Sequence, residues 1–189
     1  MFEPFPGNYV WNLATNLALV CGGNHGEIDE VNRPIMEAAN ADADLALGYA
    51  LSAGTKYLRA SGYYLAAERM QSHDYAPRWA AYEKGLQLYY KGTALRRLHV
   101  ERVEIPYEGS AYPAIFVHDG SGTRSPTLVS VNGLDPMKEQ VNMAGHGLSN
   151  LERGINTLFV DQPGTGEAIR KRNLPAVYDA ERWGSPAYD

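Results

Sequence analysis

The pattern of apolar and polar residues changes near Leu95. Between residues 28 and 93, apolar and alanine residues recur at helical spacing, with a kink expected at Asn40-Ala41-Asp42. After Leu95, short β-branched runs alternate with Gly, Pro and Asp, which is typical of strands joined by turns. We therefore predict a helical region over residues 1–95 and a sheet-forming region over residues 96–189.

The sheet-forming region opens with two strands that are close together in sequence. Val103 and Ile105 alternate with Arg102 and Glu104, which predicts a half-buried strand. A turn follows, and residues 112–118 read as a second strand. The two strands are expected to pair as an antiparallel hairpin.

A strand, helix, strand unit comes next. The run 127–131 predicts a buried strand that ends at Asn132-Gly133, and Asp135-Pro136 offers an N-cap and a first helical residue. The helix is expected to break at its glycines before it ends near Arg153, and residues 155–160 predict a second buried strand. Parallel strands with a right-handed crossover are the default geometry of such a unit.

Two motifs in this unit resemble one branch of the α/β-hydrolase superfamily. They are the turn Asn132-Gly133-Leu134-Asp135 with Lys138-Glu139 behind it, and Arg153-Gly154-Ile155 with Asp161-Gln162-Pro163-Gly164-Thr165-Gly166-Glu167. The branch includes the C–C bond hydrolase that acts on 2,6-dihydroxypseudooxynicotine, fungal hydrolases that shorten polyketide chains, and FrsA-like esterases. The resemblance implies an α/β fold: an N-terminal helical lid or cap, then the first strands of an α/β-hydrolase sheet that is incomplete in this chain.

The same resemblance assigns roles to the turn after the first strand of the unit. It implies that the backbone N–H of Leu134, after Gly133, is one donor of an oxyanion hole, and such donors stabilise charge that develops on a carbonyl oxygen. Asn132 and Asp135 become candidate substrate-binding residues. For Asp135, a purely structural role as helix N-cap has equal weight.

Three other charged residues of the motifs are interpreted as structural. Lys138 and Glu139 are expected to tie their helix to the Gly164-Thr165-Gly166 turn. Asp161, at the end of its strand, is expected to hold the loop in place and to take no part in the chemistry.

The chain departs from the family in lacking a nucleophile. An α/β-hydrolase needs a Ser on a strained turn, usually G-x-S-x-G, followed by Asp or Glu and then His. No such turn follows Glu167, and Ser52 lies within a helical pattern. We therefore expect the N-terminal portion of a serine hydrolase whose Ser-Asp-His triad lies on a C-terminal portion, as a separate chain or a missing part. The half-sheet is expected to be unstable without it.

The implied reaction is cleavage of a C–C or ester bond next to a carbonyl in a ketone-like or polyketide-like small molecule. No cofactor is implied, and a homo-oligomer such as a dimer is expected. Two alternatives stay open: an acyltransferase with the same acyl-enzyme chemistry, and a non-catalytic interaction subunit with a degenerate sheet. A dinucleotide site is disfavoured, because the third glycine of G-x-G-x-x-G falls on Ile169.

Composition narrows the range of partners. A formal charge of -5 argues against nucleic acid, whose phosphates need a basic face. Cys21 is the sole cysteine, so no intrachain disulfide forms, and the five histidines show no metal-ligand spacing. No apolar run approaches the ~18 residues of a membrane span, and a cytoplasmic protein is expected.

Overall fold

The computed structural model describes residues 28–69, 71, 74–133 and 136–188. The chain divides into two compact units, one that extends to Arg97 and one that begins at Leu98. Within the described residues the first is helical and the second carries the sheet.

The described part of the helical unit contains three long helices, α1 (Ile28–Ala46), α2 (Ala50–Arg69) and α3 (Pro77–Leu95). Helix α1 runs through Asn40-Ala41-Asp42 without interruption, so the kink expected there does not break the helix. Ala41 is fully buried against α2 and α3 residues, so tertiary packing keeps the helix continuous. The chain turns instead at Gly48, whose φ of 83° suits glycine.

Helices α2 and α3 approach closely where two glycines face each other. A Cβ on Gly92 would lie 2.9 Å from the carbonyl oxygen of Gly54 and 2.8 Å from Cγ of Leu58. A Cβ on Gly54 would likewise lie 2.9 Å from the carbonyl oxygen of Gly92. The helix spacing therefore depends on the absence of both side chains.

Gly92→Ala is expected to lower the free energy of unfolding by ~1–2 kcal/mol. Overpacking costs ~1–3 kcal/mol, and the higher helix propensity of Ala offsets up to ~1 kcal/mol of this. Gly184→Ala is the control, since nothing lies within 4 Å of the Cβ it would add. Denaturant unfolding of both variants measures the difference, and equal effects would contradict the close-packing account.

The sheet unit contains four strands, β1 (His99–Tyr107), β2 (Ser110–His118), β3 (Thr127–Val131) and β4 (Asn156–Val160). Their order across the sheet is β1-β2-β4-β3. The β1–β2 and β2–β4 pairs are antiparallel and the β3–β4 pair is parallel. The predicted α/β class, with a hairpin leading into a parallel pair, is confirmed.

Short helices complete the sheet unit: α4 (Lys138–Met143), α5 (His146–Leu151), α6 (Gly166–Arg172), α7 (Glu181–Gly184) and a 3₁₀ turn, Ser185–Ala187. The expected break between β3 and β4 occurs at Gly145, with φ 95°. Helix α4 starts at Lys138 with Met137 at its N-cap, so Pro136 precedes the helix and is not its first residue. Asp135 lies outside the described residues.

Strand β3 is not the buried strand that its apolar sequence predicts. Leu128 is 49% exposed and Val131 is 51% exposed. The reason is the strand order, because β3 lies at the edge and pairs only with β4 among the described strands. In contrast, Phe159 and Val160 of the central strand β4 are fully buried.

No helix within the described ranges is both long enough and apolar enough to cross a bilayer.

Candidate active-site turn and the buried network behind it

The turn after β3 contains the four residues with predicted site roles. Leu134 and Asp135 lie outside the described residues, so their roles stay predictions. Asn132 is buried and Gly133 is exposed.

The backbone of Asn132 is attached to the segment after β4 by a pair of hydrogen bonds. Its N–H donates to Oε1 of Gln162 over 3.0 Å, and its carbonyl oxygen accepts from Nε2 of Gln162 over 2.6 Å. The Gln162 amide thus continues the β3–β4 pairing beyond the last residues of the strands. Gln162 was assigned no role from the sequence, since no local pattern indicates a contact between residues 30 positions apart.

The side chain of Asn132 is also engaged by the protein. Its Nδ2 donates to Oδ1 of Asp161 over 2.5 Å. Its Oδ1 is buried and has no hydrogen-bond partner among the described residues. This oxygen can therefore accept from a further group, and the substrate-binding role of Asn132 stays a prediction.

Gly133 does not occupy a backbone conformation reserved for glycine. Its φ lies outside the left-handed region, and the nearest atom to an added Cβ is Cδ of Pro136 at 4.0 Å. Among the described residues outside its chain neighbours, nothing would clash with a methyl group at this position.

The carboxylate of Asp161 joins three segments of the sheet unit. Oδ1 accepts from Nδ2 of Asn132 and from the backbone N–H of Lys138 over 2.8 Å. Oδ2 accepts from Nζ of Lys138 over 3.1 Å and from the backbone N–H of Glu167 over 2.8 Å. This one carboxylate therefore fixes the end of β3 and the starts of α4 and α6. The four bonds fill its ~four acceptor sites.

Gly166 allows the close approach of α6 to this carboxylate. Its φ is +44°, and an added Cβ would lie 2.1 Å from the carboxyl carbon of Asp161. No side chain fits there, which explains the second glycine of the Gly164-Thr165-Gly166 turn.

Lys138 occupies the centre of a buried charge cluster and is itself fully buried. Nζ lies 2.8 Å from Oε2 of Glu167, 3.1 Å from Oε1 of Glu139 and 3.1 Å from Oδ2 of Asp161. Arg102 approaches the other oxygen of Glu167 at 3.3 Å. Lys138 therefore links α4 to Asp161 at the end of β4 and to Glu167 in the first turn of α6, next to the turn to which it was expected to be tied. That Lys138, Glu139 and Asp161 have structural roles alone stays a prediction.

The two glutamates of the cluster differ in their pKa. For Glu167, burial opposes ionisation, but the Lys138 ammonium and its hydrogen bond outweigh this and lower the pKa. For Glu139, burial is the largest effect and raises the pKa. The nearby Lys138 charge lowers the pKa in part, and the Asp161 charge raises it further. The cluster thus shifts the pKa values of Glu167 and Glu139 in opposite directions.

As pH rises, the free energy of unfolding of Glu139→Gln is expected to increase relative to that of wild type. A raised folded-state pKa contributes stability below the unfolded pKa and loses it as pH rises through the folded pKa. The variant lacks this titration, so its stability relative to wild type should rise from about pH 5 to about pH 8. Urea unfolding at both pH values measures this, with the exposed Glu152→Gln as control. A relative stability that stays constant would contradict the raised pKa.

Sequence comparison relates the chain to fungal hydrolases. It is 32% identical over 139 residues to the α/β hydrolase pydG of Acremonium sp, which covers 71% of this chain and 32% of that protein. It is 30% identical over 146 residues to the α/β hydrolase xenA of Xenoacremonium sinensis, which covers 75% of this chain and 34% of that protein. The chain thus spans about a third of the length of these relatives, and no family model matches it.

Structural comparison relates the fold of the chain to that of a hydrolase of known structure. The crystal structure of the 2,6-dihydroxy-pseudo-oxynicotine hydrolase matches with a TM-score of 0.72 at 21% identity, over 94% of this chain and 48% of that chain. The chain has part of the α/β-hydrolase fold, and it is related to the α/β-hydrolase superfamily, as the two motifs predicted.

Proposed function

We propose that this chain is the N-terminal portion of a serine hydrolase and supplies half of its oxyanion hole. The observation that carries the proposal is the position of the turn after β3. It is held by Asp161 and Gln162, at the carboxyl ends of the two parallel strands. Open α/β sheets bind their ligands outside the carboxyl ends of their strands.

The proposed chemistry begins when the histidine takes the proton of the serine hydroxyl and the serine oxygen attacks a substrate carbonyl carbon. The carbonyl π electrons move to the oxygen, and the backbone N–H of Leu134 stabilises the resulting oxyanion. The second donor is the N–H of the residue after the serine. Collapse of the intermediate breaks the adjacent C–C or C–O bond, the leaving carbon or oxygen takes a proton from the histidine, and water hydrolyses the acyl-enzyme.

We propose that the Ser-Asp-His triad belongs to a C-terminal portion of the hydrolase that pairs with the outer edge of β3. Among the described strands, β3 has one partner, and two of its apolar side chains are half exposed. An exposed apolar edge strand is a template for another strand. The chain spans about a third of the length of its relatives, which supports the existence of a further portion.

A fluorophosphonate probe tests the proposal on the complete enzyme. The probe should modify one serine outside residues 1–189, located by mass spectrometry, and replacement of that serine by Ala should abolish labelling and hydrolysis. Heat-denatured enzyme is the control. Labelling of Ser52 or another serine of this chain would overturn the placement of the nucleophile, and a folded enzyme that neither reacts nor hydrolyses would favour an interaction subunit.

For the substrate, we propose a small ketone-like or polyketide-like molecule, in keeping with the ketone substrate in the name of the structurally similar hydrolase. Complete enzyme should cleave a 1,3-diketone faster than a simple alkyl ester of similar size. Product analysis with an added alcohol acceptor separates hydrolysis from acyl transfer. The homo-oligomeric state and cytoplasmic location stay predictions.

A further inference from the structure

The loop that carries the proposed oxyanion donor has both of its ends attached to one oxygen atom. The side chain of Asn132, before the loop, and the backbone N–H of Lys138, after it, both donate to Oδ1 of Asp161. One carboxylate oxygen therefore holds the residues on both sides of this loop.

The ammonium of Lys138 is the charged group that contacts the opposite oxygen of this carboxylate. It binds Oδ2 of Asp161 at 3.1 Å, and Glu167 holds Nζ from the other side at 2.8 Å. All three side chains are at least 97% buried. Without the ammonium, the Asp161 charge would be buried with only neutral donors around it, and the carboxylate would rotate, recruit water or take up a proton.

We propose that Lys138 is a positioning residue: by orienting the Asp161 carboxylate, it holds the two ends of the loop, Asn132 and Lys138, in the positions that turnover requires. This inference rests on the proposed hydrolase function. Lys138 does not touch the substrate, and it acts on the reaction through Asp161 and the loop backbone.

A purely structural role predicts a different outcome from a positioning role. A structural ion pair changes the fraction of folded protein, but it leaves the folded enzyme unaltered. The pair Arg78–Glu68 in the helical unit is a matched reference, because both side chains are buried and Nε of Arg78 lies 3.0 Å from Oε1 of Glu68. Arg78→Met thus reports the loss of a buried ion pair far from the loop in sequence.

The test compares Lys138→Met with Arg78→Met in the complete enzyme, at a temperature where both are folded. Amide hydrogen exchange is followed in residues 133–137, and kcat and KM are measured separately on the cleaved substrate. For Lys138→Met we expect at least ~10-fold faster exchange in the loop. We also expect kcat to fall by ~10–100-fold with KM within ~3-fold of wild type, as for an interaction made in the transition state. Arg78→Met should change neither quantity.

A second variant covers the case in which Lys138→Met does not fold. Glu167→Gln leaves Lys138 in place but removes one charge that holds Nζ, so it should give the same changes at a smaller size, with kcat lower by ~3–10-fold. Unchanged loop exchange in the folded variant overturns the inference. Faster exchange with full kcat also overturns it.

The failure of this inference is distinguishable from failure of the proposed function. An active wild type whose folded Lys138 variant keeps its kcat removes the positioning role and leaves the hydrolase intact. A folded wild type that neither reacts with the fluorophosphonate nor cleaves any substrate removes the hydrolase. The role of Lys138 in turnover then falls with it, whatever the exchange data show.

Discussion

Asp161→Ala is expected to lower the free energy of unfolding by ~3–5 kcal/mol, the usual cost of removing one partner from a buried ion pair. The Asp161 carboxylate accepts four hydrogen bonds, from Asn132, from Lys138 twice and from Glu167. Without this carboxylate, Nδ2 of Asn132 and the backbone N–H groups of Lys138 and Glu167 face a cavity in place of an acceptor. Urea or thermal unfolding of the complete protein measures the effect.

Asp179→Ala is the control for this prediction, because Asp179 is exposed. Substitutions at such sites usually change stability by less than ~0.5 kcal/mol. Similar stabilities of the two variants would show that the Asp161 network does not hold the three segments together.

Leu134→Pro is expected to lower the turnover rate of the complete enzyme by about 10²–10³-fold. Proline lacks the backbone N–H, so this change removes the proposed oxyanion donor itself. Leu134→Ala keeps the N–H and should be mild. Steady-state kinetics on a substrate that passes through an oxyanion gives the comparison.

Gly133→Ala is the control for backbone disturbance in this turn. Proline restricts the residue before it, so a loss in Leu134→Pro could arise at Gly133 and not from the missing donor. The open space and ordinary φ at Gly133 mean that Ala there should leave turnover within about 3-fold of wild type. A folded Leu134→Pro enzyme with full activity would remove the turn from the oxyanion hole.

Local patterns in the sequence were sufficient for most elements. The alternation at Val103 and Ile105 predicted β1. The break in the helical segment after β3 occurs at Gly145, one of the two glycines that predicted it. Local patterns failed where packing overrides propensity: α1 continues through Asn40 to Asp42 because Ala41 is buried by other helices.

The candidate site was predictable in part. Lys138 and Asp161 were assigned structural roles from their places in the two motifs, and the structure shows the ties they make. Nothing local indicated that Gln162 would pair with the backbone of Asn132, since 30 residues separate them. Nor could the sequence indicate that Gly133 has ordinary backbone geometry whereas Gly166 is required by contact with a carboxylate.

The sequence by itself determined the order of elements, the mixed α/β class and the relation to α/β-hydrolases, because periodicity, turn residues and motifs are properties of neighbouring residues. Only the tertiary structure decided that β3 is an exposed edge and β4 is central, since strand order depends on pairing between distant segments. It also decided that Asn132 and Asp161, 29 residues apart, meet in one buried network. The burial that makes Lys138 and Glu139 important exists only once the sheet and its helices have packed.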